Sequence, residues 1–287
     1  MYYGLILLSV VMFGGCFALN DRYRRMRGST LKVSLEASFI GSAVGLIVLF
    51  AVCGFRLSLT PFTLALAGVA AVSRLTFTFC SFKALDTINL SLFSLFSMLG
   101  GMTLPFLQGM IFYGESLTVA KAVCFVLICA ALLLTVSRGD KRGGGIYYAG
   151  IFVLNGMSGV LSKFFTEAPF ARTSAAEYSA WISVFTIAIS GMVWLLFFRR
   201  KKHCPPATWR SSGICALYGG VNETANFLLV IALAHVDASV QYPMVTGGVM
   251  TVSTLICFFG ERKPSRKELL SVALAFLGML ALFLIPL

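Results

Sequence analysis

Charge is scarce in this chain. Only 12% of its 287 residues are Asp, Glu, Lys or Arg, and just 11 of those are acidic; a soluble domain carries roughly a quarter charged. A water-facing surface cannot be built from so little, which excludes an ordinary soluble domain. Catalytic signatures are missing too. There is no G-x-x-x-x-G-K-[ST] to cradle nucleotide phosphates, so any driving energy comes from a gradient. There is no H-E-x-x-H, no pair of helix aspartates and no Ser/His arrangement at matching depth, which leaves little for an intramembrane enzyme. The eight cysteines include no C-x-x-C pair and no Cys/His cluster at zinc spacing, so neither a disulfide framework nor a metal site is expected. They read as small apolar packing residues. No positive segment precedes the first apolar run, Tyr2 to Leu19; the basic cluster Arg22 to Arg27 follows it instead. That is the reverse of a secretory signal, and the expectation is a retained first helix.

Apolar sequence is what abounds. Hydrophobic residues make up 58% of the chain, phenylalanine alone numbering 26, and the mean hydropathy is +0.89. Runs of about 18 or more apolar residues recur from end to end, each long enough to cross a bilayer core of about 30 Å. Inside lipid the backbone must satisfy its own hydrogen bonds, so such runs are helices. The pattern predicts ten of them, over 2–19, 34–54, 62–84, 88–113, 118–137, 146–166, 176–198, 211–234, 238–259 and 266–285. The expected class is an all-α, multi-pass integral protein of the cell (inner or plasma) membrane. Its net charge of +12 reads as Lys and Arg held in loops on one side of that membrane, not as nucleic-acid binding.

The chain also repeats itself. Met98-Leu-Gly-Gly101 through Phe112, Gly114 and Glu115 is echoed 146 positions later by Met244-Val-Thr-Gly247 through Phe258, Gly260 and Glu261. Glu36-Ala-Ser38 matches Glu177-Tyr-Ser179, and Ala84-Leu85 matches Ala232-Leu233. The order of these pairs marks a duplication. Residues 1–138 form a first five-helix repeat, 139–145 a glycine-rich linker, and 146–287 a second repeat. Five is odd, so the second unit crosses the membrane upside down relative to the first. Inverted repeats of this kind place a substrate site near the midplane and give alternating access by rocking one half against the other. Of the 23 Lys and Arg residues, 18 lie in or at the edges of the breaks after helices one, three, five, seven and nine. That bias puts those breaks in the cytoplasm and both termini outside.

Two five-helix halves, Ala84-Leu85 and Ala232-Leu-Ala-His-Val-Asp-Ala-Ser239, and Gly114-Glu115 and Gly260-Glu261-Arg262 closing helices four and nine together resemble the drug/metabolite transporter (DMT) superfamily. Within it the chain is most similar to the ten-helix EamA-type exporters and permeases, over nearly its whole length. The resemblance implies export of a small molecule, with proton uptake as one energy source. Three features depart from the family pattern. Members place both termini in the cytoplasm, opposite to the charge bias here. They carry a proline upstream of Gly-Glu where this chain has Met102 and Gly248, its own prolines falling at Pro105 and Pro243. The charged residue opening their second helix is often basic, but here it is Glu36.

Charged and amide side chains deep in apolar helices are costly and face a cavity or one another. Arg74 lies near the middle of the third helix. The eighth helix, its repeat partner, carries Asn222-Glu223-Thr224-Ala-Asn226, and alignment on the Ala-Leu pairs sets Arg74 against Asn222, one residue from Glu223. A cavity between the halves then holds one permanent cation and one titratable carboxylate. Such a pair suits the two ends of a zwitterion, with Glu223 also able to carry a coupling proton. The plainer alternative is an Arg74–Glu223 salt bridge locking the halves. Asn20 and Asn155, beside Gly14-Gly15 and Gly156 in the first helix of each half, join Trp181 and Gln241 as further substrate-binding candidates, with core packing as their alternative. Gln108 is of the same kind.

Glu36 and Glu177 sit at helix starts and read as dipole caps. Glu115 and Glu261 read as structural groups bonding loop backbone, Lys163 and Glu167 as an i,i+4 interfacial pair, His203 as part of a solvated basic loop and His235 as a surface histidine. Phe77, Phe79, Phe82, Phe93 and Phe96 pack, or line a cavity suited to aromatic or amphipathic cargo. The expected function is a secondary active or facilitative transporter for a small amino acid-like, zwitterionic or amphipathic metabolite. It would work by alternating access as a monomer or homodimer among membrane lipid, without cofactor or metal. The alternatives are a multidrug or organic-cation exporter of the same fold, an intramembrane enzyme and a non-transporting scaffold.

Overall fold

Every described element of regular structure is an α-helix, which is the arrangement a charge-poor chain adopts when lipid, not water, surrounds it. The computed structural model describes residues 1–28, 30–54, 56–87, 90–134, 145–197, 208–258 and 266–284. Among them lie ten helices: α1 (Tyr2–Arg27), α2 (Leu31–Val52), α3 (Pro61–Thr87), α4 (Leu90–Phe112), α5 (Val119–Leu134), α6 (Gly145–Glu167), α7 (Ala175–Phe197), α8 (Trp209–Leu233), α9 (Ala238–Phe258) and α10 (Arg266–Leu284). Five of these, α2, α3, α6, α7 and α8, contain stretches long and apolar enough to cross a membrane. The architecture is that of a helical membrane protein. Most of the 139–145 linker, His203 and the Gly260-Glu261-Arg262 motif lie outside the described residues.

Nine of the ten helices fall close to their expected limits. The first does not: expected to stop at 19, α1 runs on to Arg27. Hydropathy marks the part of a helix that lipid covers, whereas Arg and Met propagate a helix readily without it. The far end of α1 is also anchored, because Arg27 is buried and its Nη2 pairs with the Glu36 carboxylate of α2.

Local chemistry sets the other ends. Thr30 caps α2 by accepting from the Val33 amide at 3.4 Å, and Thr60 caps α3 ahead of Pro61 by accepting from the Thr63 amide at 3.3 Å. Thr208 and Ser211 form a reciprocal capping box on α8, which supplies two of the amides that a helix start leaves unbonded. At the end of α4, Gly114 takes a left-handed φ of 65°, a conformation that costs an L side chain energy but not glycine. The chain therefore turns back under its own helix, and the Glu115 amide bonds the Gly109 carbonyl at 3.1 Å. Glu115 is thereby aimed at the opposite half.

The two halves interlock. α1 packs on α8 and α9, and α6 packs on α3 and α4; α2 packs on α7 and α8, and α7 on α2 and α3; α5 packs on α10, and α4 on α9. Exchanging each helix of the first half for the helix five places on maps these pairings onto themselves. Close approach depends on small residues where α2 crosses α8: a Cβ on Gly219 would run into the Gly41 backbone, so two glycines let these helices touch.

Candidate functional site

Between the halves lies a cavity of about 580 Å³, walled by α1 to α4 and α6 to α9. Among the described residues, helices α5 and α10 contribute nothing to its wall, and they pack on each other. On the wall Arg74 of α3 meets Glu223 of α8, with Arg74 Nη2 donating to Glu223 Oε1. The two partners are unequally covered: the Glu223 side chain is 4% exposed and that of Arg74 34%. The two residues thus line the cavity and are paired with each other.

Gly45 explains how Glu223 fits. A Cβ on Gly45 would overlap the Cβ and Cγ of Glu223, so its bare backbone on α2 provides the berth for the carboxylate arm. Sequence reasoning passed over Gly45, although Gly41-Ser-Ala-Val-Gly45 is a G-x-x-x-G signal for a close helix contact.

Neutral polar groups complete the wall. Asn226 Nδ2 donates to the Asn222 carbonyl at 2.8 Å, and Asn155 Nδ2 donates to the Ser97 carbonyl at 2.6 Å, tying α6 to α4. Gln241 Nε2 donates to the Leu229 carbonyl at 3.0 Å, which fixes the orientation of its amide. Its Oε1 is buried and has no hydrogen-bond partner among the described residues, and the same is true of the Tyr178 hydroxyl. A buried polar atom without a partner costs about 1–3 kcal/mol, so both atoms stand ready for a bond. Tyr178 is held in place by stacking on Phe165, with ring centroids 4.0 Å apart. Tyr178, Tyr218 and Tyr242 all line the cavity. They were missed because an isolated tyrosine in an apolar run carries no signal that separates a cavity wall from a core.

Arg74, Asn155, Asn222, Glu223, Asn226 and Gln241 are thus brought to one cavity. Trp181 is not among them. Its indole N–H donates to the Ser58 carbonyl at 3.1 Å, so the ring is spent on the α2–α3 connection. The Asn20 side chain lies outside the described residues, as do those of Phe79, Phe82, Phe93 and Phe96, while Phe77 lines the cavity.

The two expected caps behave differently. Glu177 does cap α7: its Oε2 accepts from the Ser174 amide at 2.8 Å and hydroxyl at 2.9 Å. Glu36 does not cap α2, since Thr30 holds that place. It lies further along the helix, pairing with Arg27 and accepting from Trp194 Nε1 at 3.2 Å. The repeat match between Glu36 and Glu177 concealed the longer first turns of α2.

A crystal structure of another protein superimposes on 98% of this chain and 98% of its own, with a TM-score of 0.75 at 20% sequence identity. The two share a fold. In all, 29 chains of solved structure match, whereas no protein-family model and no curated protein matches the sequence. With the fold shared from end to end, function must be argued from the cavity's own chemistry. That chemistry is one permanent cation, one titratable carboxylate and a ring of neutral amides and hydroxyls. Among the described residues no group of three or more His, Cys, Asp or Glu is placed to hold a metal ion.

Proposed function

We propose that this chain is a secondary transporter that carries a small zwitterionic or amphipathic metabolite across the cell membrane by alternating access. The observation that carries the reading is Arg74 and Glu223, one from each half, meeting on the wall of a single cavity between them. An arginine offers a planar fork for a carboxylate, and a buried glutamate is a group that a proton can neutralise. Cargo bearing a carboxylate competes with Glu223 for Arg74, and protonation of Glu223 frees Arg74 for it. The halves are read as inverted repeats of a DMT-type carrier, in support of which stand the odd number of helices per half and a packing pattern that survives exchange of the halves. The basic breaks are read as cytoplasmic.

Counterflow in proteoliposomes tests the reading with an amino acid set, organic cations and sugars as probes. A carrier saturates and accelerates exchange when loaded from the far side. An enzyme converts its probe, and a scaffold does neither. Absence of saturable counterflow for every probe class would remove the transporter reading. Faster exchange of organic cations than of amino acids would instead favour the cation exporter.

A further inference from the structure

One end of the bundle carries the α2–α3, α4–α5, α6–α7 and α8–α9 connections, and each of the four is bonded across to the opposite half. The Ser58 amide donates to Glu177 Oε1 at 2.7 Å. Thr173 donates from its amide to Thr63 Oγ1 at 3.2 Å, and the two hydroxyls lie 3.3 Å apart. Lys121 Nζ is 2.7 Å from Asp237 Oδ2. Glu115 accepts from the Ala238 amide at 2.9 Å through Oε1, and from the Ser239 amide at 2.9 Å and hydroxyl at 2.6 Å through Oε2.

Lys163 of α6 ties the largest of these clusters together. Its Nζ lies 2.9 Å from Glu115 Oε1 and 3.0 Å from Glu167 Oε1, and it sits above the Tyr113 ring at 5.5 Å from the centroid. The side chains of Lys163 and Glu115 are each 5% exposed. Among the described residues, none of the four connections lines the cavity, which at its other end reaches the α1–α2 turn at Gly28. Polar bonds between halves therefore join every one of these connections, beside an aromatic contact of Phe62 with Phe165 and Phe170. A permanent floor in lipid is made as readily from apolar side chains, without the desolvation that buried charge demands.

We propose that Lys163, clamped between Glu115 and Glu167, is the latch that shuts this end of the cavity, and that cargo passes there only when the Lys163–Glu115 pair parts. The proposal rests on the transporter reading above. The groups facing Glu115 are Lys163 and, through it, Glu167 on α6, with Ser239 on α9; Lys121 and Asp237 pair with each other nearby. Burial would raise the Glu115 carboxyl, but the hydrogen bonds from Ser239, Lys163 and Ala238 outweigh it and hold it below its ordinary value. The latch thus stays charged near neutrality and is released by movement of the halves, which leaves proton coupling to Glu223.

The test uses Ser162→Cys, a position on the cavity wall next to the latch, in the full chain reconstituted into liposomes. The readout is its reaction with a membrane-impermeant maleimide applied from the latch side, measured against the parent without that cysteine. Labelling is slow with Lys163 and with Lys163→Arg, and at least tenfold faster with Lys163→Met. Adding the Thr63→Cys/Thr173→Cys pair and oxidising it suppresses the acceleration, and reduction restores it. Equal labelling of Lys163→Met and its parent, or an acceleration that oxidation leaves untouched, overturns the latch. Should Lys163→Met not fold, the milder Glu167→Gln decides on the same criterion, with a threefold acceleration expected. Labelling needs no cargo, so the outcomes separate. Unchanged labelling beside saturable counterflow sinks the latch alone, and accelerated labelling without counterflow sinks the transporter.

Discussion

Deleting Arg74 should destabilise the protein more than neutralising Glu223, and deleting both should cost less than the sum. The asymmetry follows from burial. In Arg74→Met the carboxylate of Glu223 stays behind in a site where its side chain is 4% exposed. Removing one partner of a buried pair costs about 3–5 kcal/mol. The lower bound applies here, since Glu223 can take up a proton instead of staying charged. In Glu223→Gln the guanidinium left behind has a third of its side-chain surface open, so water in the cavity solvates it, and the loss is nearer that of an exposed pair, about 1 kcal/mol. The double variant leaves no orphan charge and should lose about 1 kcal/mol, giving a coupling energy of about 3 kcal/mol, at the upper end of what contacting residues show. Reversible unfolding of the purified protein in mixed micelles measures all four corners of the cycle. Additivity within about 0.5 kcal/mol is what distant residues show, and it would refute the contact. A larger loss for Glu223→Gln than for Arg74→Met would refute the argument from burial.

Three further outcomes are expected. Glu223→Gln removes the pH dependence of counterflow while expression is kept, and an unchanged pH profile would dismiss Glu223 as the coupling group. Gly45→Ala drives a methyl into the arm of Glu223; overpacking of this kind costs about 1–3 kcal/mol, and transport falls with it. Gly213→Ala in α8 meets nothing within 4 Å and is neutral, so equal effects at the two glycines would discard the berth. Glu115 is held below its ordinary value of 4.5 in the folded chain. Its contribution is therefore fully present above that value and is lost as pH falls through the lowered one. The stability gap between the protein and Glu115→Gln should close on acidification, and a gap that widens would contradict the hydrogen bonding of its carboxylate.

The helices were legible because lipid makes the backbone's requirement local: a run of apolar residues long enough to cross must be helical, whatever its partners. Arg74 and Glu223 were legible for a related reason, since a charge in such a run has few places to go. Their juxtaposition came from laying one half over the other. What the sequence concealed depends on packing between halves. The berth at Gly45 exists only because α8 crosses α2 there. Glu36 carries the same local signal as Glu177, yet the residues ahead of α2 supply Thr30 as its cap and leave Glu36 free for Arg27. Lys163 and Glu167 read only as an interfacial i,i+4 pair because their third partner, Glu115, is close only once Gly114 has turned the chain.

The energetics of the central pair bear on whether it is a brace or a binding site. Replacing a buried ion pair with well-packed apolar side chains is commonly neutral, or stabilising by about 1–4 kcal/mol, so a brace alone gives a chain little reason to keep one. A brace would also be covered at both ends. Here Glu223 is covered while a third of the Arg74 side chain is open, and the same cavity is lined by Gln241 and Tyr178, whose amide oxygen and phenol have no partner among the described residues. A ligand can bias two states only through a difference in its affinity for them. A carboxylate that draws Arg74 from Glu223 replaces a bond between the halves with a bond to cargo. Binding at that point changes the attraction of one half for the other, and a salt bridge lying across the division between halves is where cargo gains that leverage.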